Sequence, residues 1–200
     1  ESFADIFGVS IDSEDWVLGE DIMASGRFLR SISNPASGRR PQPAHLDDFV
    51  FLPNTKEGDW GGVHINSGIQ NRAFYLLVEG NEKEGKGLSI GRADAETIIY
   101  AALLKLTPNS EYADSANQWA TEAELIFGGN SRQVTAVEQA WANVGIEISK
   151  GEEAEVPTES EDGAENAEDD SSSEGTNERD IPLPPGDDVV VYLVAQDGST

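Results

Sequence analysis

The sequence of 200 residues predicts an all-α fold class, in which a multi-helix domain contains one long irregular loop and precedes a disordered acidic tail. Three observations predict this arrangement. Apolar residues recur at helical spacing in five segments of residues 1–150, which also hold all four tryptophans. Four of the nine prolines fall within residues 34–62. Residues 151–180 contain 13 acidic side chains and one arginine.

Caps and helix breakers delimit the five predicted helices. Ser110 is a suitable N-cap for the fourth helix, and Asn130 with Gln133 resembles a capping box at the start of the fifth. The dipeptide Thr107-Pro108 ends the third helix, because a proline disfavours helical backbone in the residue before it. The expected helices span residues 1–11, 67–80, 94–106, 110–128 and 130–145.

Residues 34–62, between the first two predicted helices, form a loop of unusual length for a compact domain. Loops of this length without secondary structure of their own are usually functional or organised around a ligand. We therefore expect this excursion to carry or to shape the functional site.

The tail differs from the domain in composition. Residues 151–180 include no aromatic residue, and Val156 is their only β-branched apolar residue, so they cannot bury enough apolar area to offset their ordering entropy. The run from Val189 to Ala195 is β-branched and aromatic, which is typical of a strand, and a single strand is not stable alone. The strand either starts a further module or docks back onto the domain. We predict a folded domain over 1–148, a disordered acidic linker over 149–180 and the start of a further β segment or module over 181–200.

The charge and the lack of cysteine exclude several classes of protein. With 38 acidic and 13 basic residues, the formal net charge is -25, so the surface could not neutralise a row of nucleic-acid phosphates. No cysteine is available for a disulfide, a thiolate metal site or a nucleophile. No apolar run approaches the roughly 18 residues that span a bilayer, so we expect neither nucleic acid nor a membrane as a partner. The chain begins with Glu rather than Met, and we expect it to be a piece or a processed product of a longer protein.

The most informative segment is residues 59–68, with the sequence Asp-Trp-Gly-Gly-Val-His-Ile-Asn-Ser-Gly. His64 follows a glycine pair and precedes a predicted helix, a place where backbone can approach a ligand closely. Asp59 can fold back across the glycine pair and hold one nitrogen of the His64 ring, which would fix its tautomer and favour the charged imidazolium. Taken alone, this pattern also fits a histidine with a purely structural role.

Several motifs, in the same order along the chain, resemble the thermolysin-like neutral proteases over about residues 1–148. The run from Gly61 to Ile69 resembles the active-site histidine segment of that family. The first eight residues, Glu-Ser-Phe-Ala-Asp-Ile-Phe-Gly, resemble the helix with the third zinc ligand. Residues 15–22 are similar to the calcium-binding stretch, and residues 29–35 to the segment with the substrate-binding arginine. The resemblance implies the C-terminal helical domain of this family.

The resemblance also implies a role for individual residues in a zinc peptidase. Glu1 would be the third zinc ligand, and Asp5, on the same helical face, would support a zinc-binding histidine of another helix. Zinc held by two histidines and one glutamate keeps a position for water, whose pKa falls to about 7. His64 would donate to the oxyanion formed when this water attacks a peptide carbonyl, and Asp59 would orient the ring. The simpler alternative for Glu1 and Asp5 is a solvated acidic N-terminus.

Further residues correspond to the substrate-binding side of the family's cleft. Arg30 resembles the arginine that binds the substrate carbonyl just beyond the scissile bond, and a surface ion pair is the alternative. Leu29, Leu18 and Ile22 fall where the family lines its apolar specificity pocket, although any of them could instead belong to the core. Trp60 stands beside His64 where many relatives carry asparagine, so it alters the rim of the site.

The resemblance extends to a calcium site. Asp12, Asp15 and Glu20 supply the hard oxygen ligands that suit calcium, and an acidic surface without a metal is the alternative. Val17 stands at one ligand position of the family's double site, so we expect one calcium ion at most. His45, in the proline-rich loop, also has counterparts in the family, but we assign it no role.

The resulting hypothesis is a secreted, extracellular zinc metalloendopeptidase that acts on protein or peptide substrates. Neither histidine of the chain is followed by glutamate, so the zinc-protease motif HExxH is absent and would precede Glu1. We therefore expect the 200 residues alone to be inactive and to need the N-terminal half of the same protease. One alternative is a non-catalytic helical module that keeps the protease scaffold and binds a protein partner. Another is that the acidic tail is the functional part, binding calcium or tethering a further domain.

Overall fold

Five α-helices, numbered α1 to α5, appear in the computed structural model, which describes residues 1–24, 26–80 and 87–149. They confirm the predicted all-α class. The predicted acidic linker and β segment fall outside the described residues, apart from residue 149. None of the helices in the described ranges is long and apolar enough to cross a membrane. The bounds are Ser2–Ile11 for α1, Asp59–Glu79 for α2, Gly91–Leu103 for α3, Tyr112–Phe127 for α4 and Arg132–Ala142 for α5.

A short antiparallel hairpin, which the sequence did not predict, follows α1. Its strands are β1, Val17–Leu18, and β2, Arg30–Ser31, and Leu18 is the register partner of Arg30. Backbone bonds extend the pairing on both sides, from Leu29 N to Leu18 O at 2.7 Å and from Ile32 N to Trp16 O at 2.8 Å. Two-residue strands are too short to produce a visible alternation of apolar residues, which explains why sequence periodicity did not indicate them.

The core is built around α2, which contacts α1, α3 and α5. Nearly every residue of α2 from Asn66 to Val78 is buried, and a helix that is enclosed on almost all sides need not have a polar face. Trp119 of α4 and Trp141 of α5 are fully buried and pack edge to face, with ring centroids 4.8 Å apart. These contacts hold α2 in the core, and His64 lies near its N-terminal end.

Several helix ends differ from the predicted ones, by one to three residues in most cases and by eight at the start of α2. The N-cap of α4 is Glu111 rather than Ser110, because Glu111 forms a reciprocal capping box with Asp114. The N-cap of α5 is Ser131 rather than Asn130, and its hydroxyl accepts a bond from Val134 N at 3.2 Å. The remaining differences are the earlier starts of α2 and α3, at residues 59 and 91, and the earlier ends of α3 and α5, at residues 103 and 142.

The proline-rich loop packs directly onto α2 at Gly68. A Cβ atom at Gly68 would lie only 2.5 Å from the carbonyl oxygen of Pro43 and 2.7 Å from the Cβ of Gln42, so only glycine allows this close approach. The buried Gln42 amide donates to the carbonyl oxygen of His64 and to the hydroxyl of Ser67, both at 2.9 Å. The loop thus shapes the site, as its length and composition predicted.

Candidate active site

The hairpin places Arg30 against two carboxylates of α1 and its N-cap. Arg30 Nη1 lies 2.5 Å from Glu1 Oε1 and 2.5 Å from Asp5 Oδ1. The side chains of Arg30 and Asp5 are only 13% and 6% exposed, so this contact is largely shielded from water. The spacing of Glu1 and Asp5 by four residues puts both carboxylates on one face of the helix, where a single guanidinium can reach them.

Asn71, at the middle of α2, holds the second oxygen of Asp5. Its amide Nδ2 donates to Asp5 Oδ2 at 2.9 Å, and its Oδ1 accepts a bond from the hydroxyl of Ser2 at 2.7 Å. Asn71 is completely buried. Asn71 was not predicted from the sequence, although His64, Ser67 and Asn71 follow one another at helical spacing on one side of α2.

His64 and Asp59 are in contact through two separate bonds. Asp59 Oδ1 lies 2.5 Å from His64 Nδ1, and Asp59 Oδ2 accepts a bond from the backbone N–H of His64 at 2.9 Å. The other ring nitrogen, Nε2, lies 3.1 Å from Glu1 Oε2. The structure therefore brings Glu1, Asp5, Arg30, Asp59 and His64 into one connected cluster at the start of α1 and α2.

A left-handed turn makes the double contact of Asp59 with His64 possible. Asp59, Trp60, Gly61 and Gly62 all have positive φ angles, of 57°, 46°, 84° and 81°. The glycines adopt this conformation freely, whereas each L side chain there is strained by roughly 1–2 kcal/mol. The glycine pair suggested a close backbone approach, but the positive φ of the two preceding residues had no signal in the sequence.

We expect replacement of Trp60 by glycine to stabilise the domain by about 0.5–1 kcal/mol, because glycine removes the strain of the left-handed residue. The Trp60 side chain is half exposed, and its backbone bond to Thr55 O is kept. The measurement is chemical denaturation of the two proteins. Gly61→Ala is the matched control: its Cβ would meet nothing within 4 Å, so its φ of +84° alone should destabilise the domain by about 1 kcal/mol. Destabilisation by Trp60→Gly would show that the indole contacts outweigh the strain.

Contacts within the cluster favour the charged forms of Arg30 and Asp59. Burial lowers the pKa of the Arg30 guanidinium, but the Asp5 charge and the hydrogen bonds to Glu1 and Asp5 together raise it above its ordinary value. The hydrogen bond to the His64 ring lowers the pKa of the Asp59 carboxyl, and the Arg30 charge acts in the same direction. Because its pKa is lower in the folded state, Asp59 stabilises the fold above its unfolded pKa, and this contribution is lost as the pH falls through the folded value.

Asn66 fixes the chain on the other side of the glycine pair. Its side-chain amide accepts a bond from Val50 N at 3.0 Å and donates to Val50 O at 2.9 Å, which joins the proline-rich loop to α2. Its backbone oxygen accepts a bond from the hydroxyl of Tyr112 at 2.5 Å, and burial raises the pKa of that phenol. The sequence reasoning assigned neither Asn66 nor Tyr112 a function.

The three residues predicted to line a specificity pocket lie around the hairpin. Leu29 and Ile22 approach Gly19, with Leu29 Cβ and Ile22 Cγ1 at 3.1 and 3.9 Å from the place a Gly19 Cβ would occupy. Ile22 is 85% exposed, and Leu29 is also on the surface. Leu18 packs against Gly8 of α1 and contacts the hydrophobic core. Leu29 and Ile22 are therefore accessible to a ligand, whereas Leu18 also has a structural role.

The predicted calcium ligands separate into two groups. Asp12 and Glu20 come together with Asp21, and ligand oxygens of the three carboxylates lie within 4.8 Å of one another. Asp15 is not part of this group: its Oδ1 accepts a bond from Val17 N at 2.9 Å within a local turn. Of the ligands predicted from the sequence, Asp12 and Glu20 thus lie together and Asp21 joins them, while Asp15 as a ligand stays a prediction. One Glu20 oxygen, Oε2, is buried without a hydrogen-bond donor among the described residues.

His45 lies over Gly145, whereas Trp60 lies in the turn that precedes His64. The His45 ring covers Gly145, whose absent Cβ would lie 2.6 Å from His45 Cε1, and its Nδ1 accepts a bond from Asp47 N at 3.2 Å. Both contacts are structural. The indole of Trp60 is more than half exposed next to the turn that carries His64.

A largely apolar groove of about 980 Å³ runs beside the cluster. Glu1 lies at its border, and α2 and α4 form its sides. The exposed Phe51 lines it together with Phe49, whose ring stacks edge to face on Phe51 at 4.9 Å. The cluster thus combines a partly exposed carboxylate, an imidazole and a guanidinium next to a concave apolar surface, an arrangement suited to binding and polarising a polypeptide.

This fold and this cluster define the class of protein. The family description "Thermolysin metallopeptidase, alpha-helical domain" matches residues 1–146. The chain therefore belongs to the thermolysin metallopeptidase family, and the resemblance seen in the sequence is confirmed.

Named relatives agree with this assignment. The chain is 42% identical over 147 residues to a bacillolysin of Bacillus amyloliquefaciens, which covers 73% of the chain and 26% of the relative. It is 41% identical over 150 residues to an extracellular elastase of Staphylococcus epidermidis, and this match covers 73% of the chain and 26% of the relative. It is 36% identical over 150 residues to a zinc metalloproteinase of Listeria monocytogenes, and this match covers 73% of the chain and 27% of the relative. The chain thus spans about a quarter of the length of these relatives.

Proposed function

We propose that residues 1–149 form one side of the catalytic cleft of an extracellular zinc metalloendopeptidase that cleaves protein or peptide substrates. The observation that carries the proposal is the contact of Glu1 with both Arg30 and His64. It gathers a candidate zinc ligand, an oxyanion donor and a substrate-binding arginine at one place. The family name and the names of the elastase and the zinc metalloproteinase support a secreted metallopeptidase.

Glu1 suits the role of one zinc ligand, because its carboxylate is 24% exposed and borders the groove. A catalytic zinc site takes three protein ligands and a water. Among the described residues, the group of three or more candidate ligands is Asp12, Glu20 and Asp21, which does not include Glu1. The proposal therefore requires two further ligands from an HExxH helix in the N-terminal half of the protease. Zinc bound there would lower the pKa of its water to about 7 and supply a nucleophile at neutral pH.

His64 is suited to stabilise negative charge on a substrate carbonyl oxygen. Asp59 engages Nδ1 of the ring, which leaves Nε2 as the nitrogen that faces the cleft and Glu1. With Asp59 bonded to Nδ1, the ring is held so that an N–H at Nε2 would already be oriented when charge develops in the transition state. Arg30, whose guanidinium stays protonated, would bind the carbonyl on the far side of the scissile bond. Asp5 and Asn71 hold this guanidinium in position.

Metal analysis of a Glu1→Gln variant of the active protease tests the assignment of Glu1. Glutamine keeps the size of the side chain but replaces the anionic ligand by a neutral one, so we expect zinc to be lost. Retention of zinc and of peptidase activity would contradict the proposal.

We also propose that Asp12, Glu20 and Asp21 bind one calcium ion. Three carboxylates within 4.8 Å repel one another without a cation, and a buried carboxylate oxygen without a donor lacks a partner that calcium would supply. At a calcium concentration 100 times the dissociation constant, binding would stabilise the fold by about 2.7 kcal/mol.

We expect calcium to raise the melting temperature by about 5–10 °C relative to chelator, as measured by calorimetry. Glu20→Gln should remove most of this shift. Asp15→Asn is the matched control: its side-chain oxygen still accepts the bond from Val17 N, so the shift should persist. Loss of the shift in Asp15→Asn but not in Glu20→Gln would support the original set of ligands instead.

A further inference from the structure

The segment from Ile22 to Leu46 has an unusual charge for this protein. It contains four arginines, Arg27, Arg30, Arg39 and Arg40, and no acidic residue, although the formal net charge of the chain is -25. Arg30 is paired with Glu1 and Asp5. The other three side chains are exposed, and the described residues form no ion pair with them. Unpaired guanidinium groups in a strongly acidic protein are available for an anionic ligand.

Two of these arginines border a depression of about 290 Å³. Arg27 and Arg39 line it, together with Phe28, Ser37 and neighbouring glycines. A guanidinium binds a carboxylate through two parallel hydrogen bonds, so a pair of them at one depression is suited to a single carboxylate. The acidic surroundings repel anions elsewhere on the surface, which confines their binding to this place.

The depression adjoins the segment that we propose to bind substrate. Arg39 N donates to the carbonyl oxygens of Phe28 and Leu29, both at 3.2 Å. A Cβ at Gly38 would lie 2.7 Å from Leu29 O and 3.1 Å from Arg30 Cα, so the two segments are pressed together. Arg27 precedes Arg30 by three positions in the sequence, which corresponds to at most about 10 Å of extended chain. An extended peptide held at Arg30 would reach the depression with the second or third residue beyond its scissile bond.

We propose that Arg27 and Arg39 form an anion subsite that selects substrates with a carboxylate at this distance from the scissile bond. The carboxylate is either the side chain of an aspartate or glutamate or the C-terminus of a short peptide, and both offer the same chemistry. This inference rests on the proposed peptidase function, because it extends the binding surface of Arg30 and Leu29. Arg27 and Arg39 determine specificity and take no part in the chemical step.

The test compares kcat/KM of the active protease for matched peptides. One series carries aspartate or asparagine at the second or third residue after the scissile bond, with an amidated C-terminus. The other has asparagine there, with the chain ending in a free carboxylate or an amide. We expect about a fivefold preference for the carboxylate in at least one series, which 0.5 M NaCl should weaken. The series that shows the preference identifies the source of the carboxylate.

Variants of Arg27 and Arg39 test whether these two residues cause the preference for the carboxylate. Arg39→Gln should reduce it to about twofold, and Arg27→Gln combined with Arg39→Gln should abolish it, because the rate for the carboxylate peptide falls to that of its uncharged partner. Lys105→Gln, which removes one exposed positive charge elsewhere, is the matched control and should keep the preference. Equal rates for both peptides of each pair, or a preference that survives the double variant, would overturn the proposal.

A binding experiment separates this proposal from the peptidase function. The 200-residue chain, labelled with 15N, is titrated with the free-carboxylate peptide and with its amide. We expect the amide resonances of Gly26, Gly38 and Arg39 to shift with the carboxylate peptide only, and not in the double variant. Such shifts, with no cleavage of any peptide by a protease that also contains the HExxH half, would contradict the peptidase function alone. Cleavage without these shifts and without a preference would contradict the subsite alone.

Discussion

Replacement of His64 by alanine is expected to lower kcat of the active protease by about 100- to 1,000-fold, equivalent to about 2.7–4 kcal/mol of transition-state stabilisation. The effect should fall on kcat rather than on KM, because the bond from Nε2 to the substrate oxygen strengthens only as charge develops. Steady-state kinetics with a peptide substrate, in a protease that contains the HExxH helix, measures both constants. The domain should stay folded, since the His64 side chain is 48% exposed.

His45→Ala provides the matched control for this prediction. His45 is the other histidine of the chain, its ring lies over Gly145, and its Nδ1 accepts a bond from Asp47 N, so among the described residues it has no hydrogen bond to the Glu1–Arg30–His64 cluster. Its replacement should leave kcat within about twofold. An Asp59→Asn variant should give an intermediate loss, because asparagine can occupy the same position but offers one oxygen where Asp59 uses two to hold the ring and the backbone of His64. An unchanged kcat in His64→Ala would remove His64 from the mechanism.

Replacement of Arg30 by methionine should reduce the free energy of unfolding by about 3 kcal/mol. Methionine preserves much of the apolar volume, but Asp5, only 6% exposed, is left without its cation, and an uncompensated buried charge typically costs 3–5 kcal/mol. The lower figure applies here because Asn71 still donates to Asp5 Oδ2. Urea denaturation measures the change, and the melting temperature should fall by about 6–12 °C.

Two comparisons make this result specific. Arg39→Gln removes an exposed arginine for which the described residues offer no ion pair, so the free energy of unfolding should change by less than about 0.5 kcal/mol. The double variant Arg30→Met with Asp5→Asn removes both charges and should regain much of the lost stability. Additive losses in the double variant would mean that the two side chains do not stabilise each other.

The helical class and two local parts of the cluster could be predicted from short-range patterns, whereas the grouping of Glu1, Arg30 and His64 was implied only by the family resemblance. Helical spacing of apolar residues indicated the five helices, and Asp59, the glycine pair and His64 lie within six consecutive residues. Glu1 and Asp5 share a face simply because they are four residues apart on a helix. Their meeting with Arg30 was not visible in local patterns, since it depends on a hairpin with strands of two residues.

The remaining features depend on tertiary contacts that leave little local trace. Asp15 and Asp21 are equally acidic, and only the path of the loop decides that Asp15 closes a local turn while Asp21 joins Glu20. The positive φ of Trp60 is enforced by its surroundings, because nothing in a tryptophan favours it. Asn71 is a polar residue on a buried helix, and its role becomes clear only when Asp5 and Ser2 are placed against it.

The central claim is that Glu1 completes a zinc site whose other ligands come from the N-terminal half of the protease. The most direct measurement is the zinc content of the purified, dialysed protease, by elemental analysis, for the wild type, Glu1→Gln and Glu79→Gln. Glu79 is an exposed glutamate at the opposite end of α2 from His64, so it controls for the loss of one negative charge. We expect about one zinc per chain in the wild type and in Glu79→Gln, and far less than one in Glu1→Gln. Full zinc content together with wild-type activity in Glu1→Gln would contradict it.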